Sequence, residues 1–328
     1  MKLDTLLAEQ FKNFSLTPIH HSAEIAHLYA DYLELLTVLQ NGEWFTESEL
    51  VKRFMDFGIR VPNVSQKTAG TAQDDEPRPA EIDDQYDSWA QQVFSQLDSR
   101  QALFEGDYPF EAARGRVRLK ATLDLRQKLY VMLLLCSNLR YFPKLEPALT
   151  SEFEGVAFEV LKAFLPGNAT VRQLGKNSDY GGDAKSKISK LAKEMNVKIN
   201  EREFQKIQGT QERGLDVVGW IPFSDRCFSF LSILAQCACG KNWTHKLSET
   251  RRFDSSYFHF EKLKPIHALF IPRGLNYKDD LYQSSELSEV LLFERGRILT
   301  VLSTADFFEN FESKKIVDYY VALSEDIV

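Results

Sequence analysis

An aspartate inside one apolar run and a glutamine inside the next are the residues of this sequence best placed to do chemistry. Asp216 lies in Leu215-Asp216-Val217-Val218-Gly219-Trp220, and Gln236 in Leu234-Ala235-Gln236-Cys237-Ala238-Cys239. Both runs read as strands of a core. A lone carboxylate costs several kcal/mol to bury there, so Asp216 calls for a cation or strong donors beside it. A divalent metal is one such partner, because carboxylate and amide oxygens are hard ligands suited to Mg²⁺.

The elements that must position this pair follow from periodicity. Ser151 to Leu165 reads as a helix with Phe153, Val156, Ala157, Val160, Leu161 and Phe164 turned inward; it carries Glu154 and Glu159 and ends at Pro166-Gly167. Val171 to Leu174 reads as a short strand. Lys176 to Lys206 holds eight basic residues against five acidic ones. Within it, a helix from Ala184 to Met195 sets Ile188, Leu191 and Met195 on one face and lysines on the other. Lys185, Lys187, Lys190 and Lys193 are therefore the local candidates for phosphate contacts, the alternative being a solvated helix face. Ile266 to Ile271 is a further apolar run. Val290–Phe293 and Ile298–Leu302 flank Glu294-Arg295-Gly296-Arg297 as a hairpin-like pair, and a last helix is expected from Asp306.

The first half is helical in pattern. Ser22 to Leu39 is amphipathic and stops at Asn41-Gly42, and Thr46 with Glu49 forms a capping box that starts a second helix. Two helices joined by a tight turn fit either part of a winged-helix unit or a plain helical hairpin. Residues 61–87 read as an acidic flexible loop, with seven acids against one Arg between Asp74 and Asp87. Val117 to Lys120 alternates as an exposed strand does. Lys128 to Leu139 is apolar nearly all round, the mark of a buried central helix.

The 328 residues suffice for two domains, and 44% hydrophobic with 27% charged residues is ordinary for a globular chain. Four cysteines at this length give no disulfide framework, so a reducing, cytoplasmic setting is expected. No signal peptide and no membrane span are expected, since the longest apolar run, Leu129 to Cys136, falls far short of the roughly 18 residues a span needs. A net charge of −7 gives no global attraction to nucleic acid, so binding must be local. Cys227, Cys237, Cys239 and His245 could be drawn around Zn²⁺, but Cys-x-x-Cys spacing is absent and the cysteines read better as small buried hydrophobes. There is no Gly-rich phosphate loop followed by Lys-Ser/Thr, and no Gly-x-Ser-x-Gly elbow.

The helix with Phe153-Glu154, the strand Gly214-Leu215-Asp216-Val217-Val218 and the following strand ending in Gln236 resemble the PD-(D/E)XK restriction-endonuclease-like superfamily, in its Mrr-like branch. The resemblance spans residues 151–247. It implies a mixed-sheet core in which Asp216 and Gln236, with Glu154 or Glu159 from the preceding helix, hold Mg²⁺ or Mn²⁺. In that pattern a lysine stands two residues after the glutamine; here Ala238 occupies the position, and Lys241, beyond Gly240, is the nearest substitute, with Lys246 further on. The expectation is thus an α+β protein, with a helical domain over 1–145 and a nuclease-like domain over 146–328. The function implied is metal-dependent cleavage of DNA in restriction or anti-phage defence, with Asp216, Gln236 and Lys241 catalytic. Other subunits of a defence system and a homo-oligomer are partners consistent with it. The alternative is a catalytically silent module that binds nucleic acid or scaffolds a defence complex.

Overall fold

The computed structural model describes residues 3–12, 14–19, 26–40, 42–61, 79–207, 214–223, 230–260, 263–277, 280–281 and 290–323. The chain divides into two units. One comprises Met1–Lys144, Leu275–Tyr282 and Lys314–Val328, the other Leu145–Gly274 and Gln283–Ser313. Both helices and a mixed sheet are present, so the chain is α+β in class.

In the first unit α1 (Leu3–Phe11), α2 (Ala26–Val38), β1 (Phe45–Thr46), α3 (Glu47–Asp56), α4 (Pro79–Phe104), β2 (Phe110–Ala112), β3 (Arg116–Leu119) and α5 (Leu125–Ser137) follow in order. The later hairpin β10–β11 (Asn276–Tyr277, Asp280–Leu281) belongs here, as does most of α10 (Glu312–Val321). The unit is not purely helical, because β1, β3 and β2 form an antiparallel sheet in that order. Thr46 and Glu49 cap α3 reciprocally, as their spacing predicts. Helix α5 is buried continuously from Leu129 to Ser137. The strand over Arg116–Leu119 is the middle one of its sheet, with Val117 and Leu119 buried and its arginines outward. A buried ionic network holds the unit. Arg100 pairs with Asp31 and Glu34 at 2.8 Å each, and Tyr108 and Tyr130 donate hydroxyl bonds to Glu34.

Two expectations change in the structure. The acidic stretch is not all loop: residues 79–87 open α4, and proline is tolerated at a helix start. Residues 62–78 lie outside those described. The hairpin-like pair is instead strand β12 (Leu291–Phe293) followed by helix α9 (Arg295–Val301). Glu294 decides this, since its carboxylate accepts the N–H groups of Gly296 and Arg297 at 2.9 and 2.8 Å and caps a helix start.

The second unit runs α6 (Glu146–Phe164), β4 (Thr170–Gln173), α7 (Ala184–Glu194), β5 (Lys198–Ile199), α8 (Glu201–Phe204), β6 (Val217–Trp220), β7 (Ser232–Cys237), β8 (Phe258–His259), β9 (Ile266–Phe270), β12 and α9. Five strands form one sheet in the order β12-β9-β7-β6-β4. β4, β6 and β7 are an antiparallel meander; β9 and β12 continue it in parallel. One face packs on α7 through Ile188, Leu191, Val218, Trp220 and Leu234. The other takes α6, whose Leu161 and Leu165 come so close to Gly219 that a Cβ there would lie 2.6 Å from Leu165. β4, β7, β9 and β12 all finish at the end of the sheet where β6 begins.

Candidate functional site

Asp216 immediately precedes β6 at that shared end. Its carbonyl accepts the N–H groups of Leu174 and Gly175 at 2.8 and 3.2 Å, and its own N–H donates to Ala235 at 3.0 Å. Val217 is already the register partner of Ala235, so two residues stand opposite one and the strand bulges. Leu215 and Val218, an odd number of residues apart, consequently both enter the core on the α7 face. The bulge leaves the Asp216 carboxylate at the end of the ladder, where Oδ2 accepts the Cys237 N–H at 2.7 Å.

Glu154 reaches the same place from α6. Its Oε2 accepts the Lys176 N–H at 2.8 Å, with the side chain lying over Gly175, where a Cβ would strike it. Lys187, one turn into α7, completes the arrangement: its ammonium donates to the carbonyls of Leu174 and Gly175 at 3.3 and 3.4 Å. The turn Leu174-Gly175-Lys176 is thus held by the Asp216 backbone carbonyl, the Glu154 carboxylate and the Lys187 ammonium group. The charges converge further on Cys237, whose thiol is pushed well above its ordinary range by burial and then by Asp216, Glu154 and Cys239.

Gln236 neighbours this cluster. It alternates with Cys237 along β7 and so faces the other side of the sheet. Its Nε2 donates to Glu249 Oε2 at 2.8 Å, which fixes the amide orientation, because reversal would set two acceptors against each other. Lys246 binds the second Glu249 oxygen at 2.8 Å. Burial raises the Glu249 carboxyl, but the hydrogen bonds from Lys246 and Gln236 outweigh it and hold the group below its ordinary 4.5. Gly214, at φ +86°, makes room for both side chains. The residue Gln236 is 5% exposed, and its Oε1 is buried without a protein hydrogen-bond partner.

The structure therefore gathers Asp216 and Glu154, sets Gln236 with Glu249 on the other face of the sheet, and leaves Lys241 exposed in the turn after β7. Lys185 and Lys190 donate to the carbonyls of Gln205 and Gly181, each at 2.9 Å, so these ammonium groups already serve as tethers; Lys193 is exposed. Sequence reasoning missed Glu249, Gly175 and the inward position of Lys187. Gly175 carried a usable signal, a glycine directly after a strand; nothing in the sequence ties Glu249 to Gln236. Among the described residues no group of three or more His, Cys, Asp or Glu side chains is gathered to hold a metal. Cys227, part of the imagined zinc set, lies outside the described residues.

No family model, curated protein or solved structure matches this chain.

Among the described residues no helix is long and apolar enough to cross a membrane. What the site offers chemically is two carboxylates, a buried amide oxygen lacking a protein hydrogen-bond partner and an ammonium group, at one end of a sheet. The oxygens are hard donors, and a buried acceptor with no partner is an expected mark of an ion or ordered water. The two carboxylates are donors of the kind Mg²⁺ or Mn²⁺ takes, and the Gln236 oxygen stands apart from them on the other face of the sheet.

Proposed function

We propose that the second unit is a metal-dependent endonuclease acting on DNA phosphodiester bonds, with restriction or anti-phage defence as its setting. The observation that carries this reading is the turn Leu174-Gly175-Lys176, gripped by Asp216, Glu154 and Lys187. The order α6–β4–β6–β7–β9 supports it, with an acid on the helix, an acid before the second strand of the meander and an amide on the third.

Asp216 and Glu154 would hold the metal; the Gln236 amide, on the opposite face of the sheet with Glu249, is not placed to share it. When bound, the ion supplies an activated water and stabilises charge on the phosphate. The chain's own residues do the positioning. The Cys237 N–H fixes one Asp216 oxygen and thereby the direction of the other, and the Lys176 N–H does the same for Glu154. Lys187, tied to the Leu174 and Gly175 carbonyls, adds positive charge beside the turn, where the resemblance has a strand lysine. The order helix, strand, helix, helix, strand, strand in the first unit supports reading it as a winged-helix-like recognition part.

The test is plasmid cleavage with Mg²⁺ or Mn²⁺. Wild type is expected to nick or linearise DNA, and Asp216→Asn is expected to be inactive. Cleavage that survives Asp216→Asn overturns the site. A second reading, a silent module that binds nucleic acid or scaffolds a defence complex, is favoured by Ala238 at the motif position and by the exposure of Lys241; it predicts no cleavage by wild type with either metal.

A further inference from the structure

The hairpin β2–β3 of the first unit carries three arginines, Arg114 at its turn and Arg116 and Arg118 on β3. Arg114 and Gly115 form its two-residue turn, both at positive φ, +55° and +69°, with paired Ala113–Arg116 backbone bonds of 3.0 and 3.3 Å. Asn, Asp or Gly suits the first of these positions; a side chain such as arginine is strained there. Strain of this kind persists where the side chain has a use. Arg116 and Arg118 then project from the same face of β3, alternating with buried Val117 and Leu119.

Trp44, directly before β1, holds both guanidinium groups. Its ring centre lies 4.3 Å from Arg116 Cζ and 4.6 Å from Arg118 Cζ. Stacking occupies the flat face of a guanidinium and leaves its in-plane N–H donors pointing outward, the arrangement that receives phosphate oxygens. Arg118 is neutralised by Glu111 at 2.6 Å. Arg114 and Arg116 have no ion pair among the described residues. Glu47 lies against Gly115 beside the tip, and burial together with Asp87 and Asp98 of α4 raises its carboxyl, which favours the uncharged form there. Helix α4, by contrast, exposes Asp83, Asp84, Asp87 and Asp98, a surface that repels a phosphate backbone. Among the described residues, the cations left without an ion pair on the hairpin are therefore Arg114 and Arg116.

We propose that the β2–β3 hairpin, with Arg114 at its turn and Arg116 set by Trp44, contacts the phosphate backbone of duplex DNA. The choice of DNA over RNA rests on the nuclease reading of the second unit; the anion-binding role of the hairpin does not.

The experiment is fluorescence anisotropy of the full chain with a short labelled DNA duplex in EDTA, so that binding is read without cleavage. Arg114→Gly combined with Arg116→Gln is expected to weaken binding about tenfold or more, and to lower the slope of log Kd against log salt by about 1.8, the loss of two phosphate contacts. Arg114→Gly alone relieves the left-handed strain, so Tm is expected to stay level or rise while affinity falls, which separates binding from folding. Trp44→Leu is expected to weaken binding about threefold by freeing the two side chains. Affinity of the double variant within about twofold of wild type overturns the proposal and leaves the nuclease reading standing. Absence of wild-type binding to duplex DNA overturns it too, as does a loss confined to an RNA duplex. Duplex binding that depends on the hairpin, in a wild type that never cleaves, upholds this proposal and removes the nuclease.

Discussion

Glu154 and Asp216 grip consecutive peptide groups of one turn: the Asp216 carbonyl takes the Gly175 N–H at 3.2 Å and the Glu154 carboxylate takes the Lys176 N–H at 2.8 Å. Two acids from different elements are thereby fixed relative to each other by backbone, with no need of a direct contact. Their roles are separable by substitution. Glu154→Gln and Asp216→Asn each keep an acceptor for their N–H partner, so both variants are expected to fold with little change in Tm. Cleavage is expected to drop on the order of 100-fold or more in each, since one hard anionic ligand is lost. A variant that folds and cleaves at the wild-type rate would remove that residue from the site.

Gly175→Ala tests the same geometry from the backbone side. The new methyl group displaces the Glu154 carboxylate, the mobile end of a side chain, so stability is expected to change little. Cleavage is expected to fall by as much as about 100-fold, the effect of misplacing a group by about an ångström. A loss of Tm large enough to account for the lost activity would contradict this.

How much of this was legible in the sequence can be judged residue by residue. Asp216 stood out because a carboxylate in an apolar run needs a partner, and the strands around it followed from their short apolar runs. The bulge did not, because it depends on which carbonyl the Asp216 N–H finds across the sheet. Lys187 was legible as a basic position on α7 and illegible as an inward one: it sits one turn from the Asp183 cap, and its direction is set by carbonyls of a turn twelve residues earlier in the chain. Glu294 misled for a related reason. Apolar residues on either side of Glu294-Arg295-Gly296-Arg297 read as two strands, whereas the carboxylate caps a helix made of the second run.

The buried network in the first unit makes a prediction about stability alone. Arg100 is 2% exposed, and Asp31 and Glu34 are fully buried. Arg100→Met strands two carboxylates without their cation and is expected to cost about 3–5 kcal/mol of unfolding free energy by urea titration. An unchanged midpoint would show that the pairing contributes nothing.

On the sheet, Gly219→Ala drives a methyl group into Leu161 and Leu165 of α6. The expected loss is about 1–3 kcal/mol, read by the same titration.

His267 gives a pH dependence. Burial holds its imidazole below the ordinary 6.5, with Asp254 raising and Arg251 lowering it further, and Thr250 lies 3.0 Å from Nδ1. A base whose folded pKa is depressed stabilises the native state fully above the unfolded value, and that contribution is lost as pH falls through the folded one. Stability is therefore expected to decline as pH drops below about 6.5, and His267→Gln is expected to flatten that decline. The same slope in both proteins would exclude His267 as its source.

The central claim, that Asp216 and Glu154 hold a divalent ion, is tested most directly by anomalous diffraction from crystals soaked in Mn²⁺. The account predicts a peak at about 2.0–2.4 Å from a carboxylate oxygen of each. A peak elsewhere, or none at a concentration that supports cleavage, would contradict it.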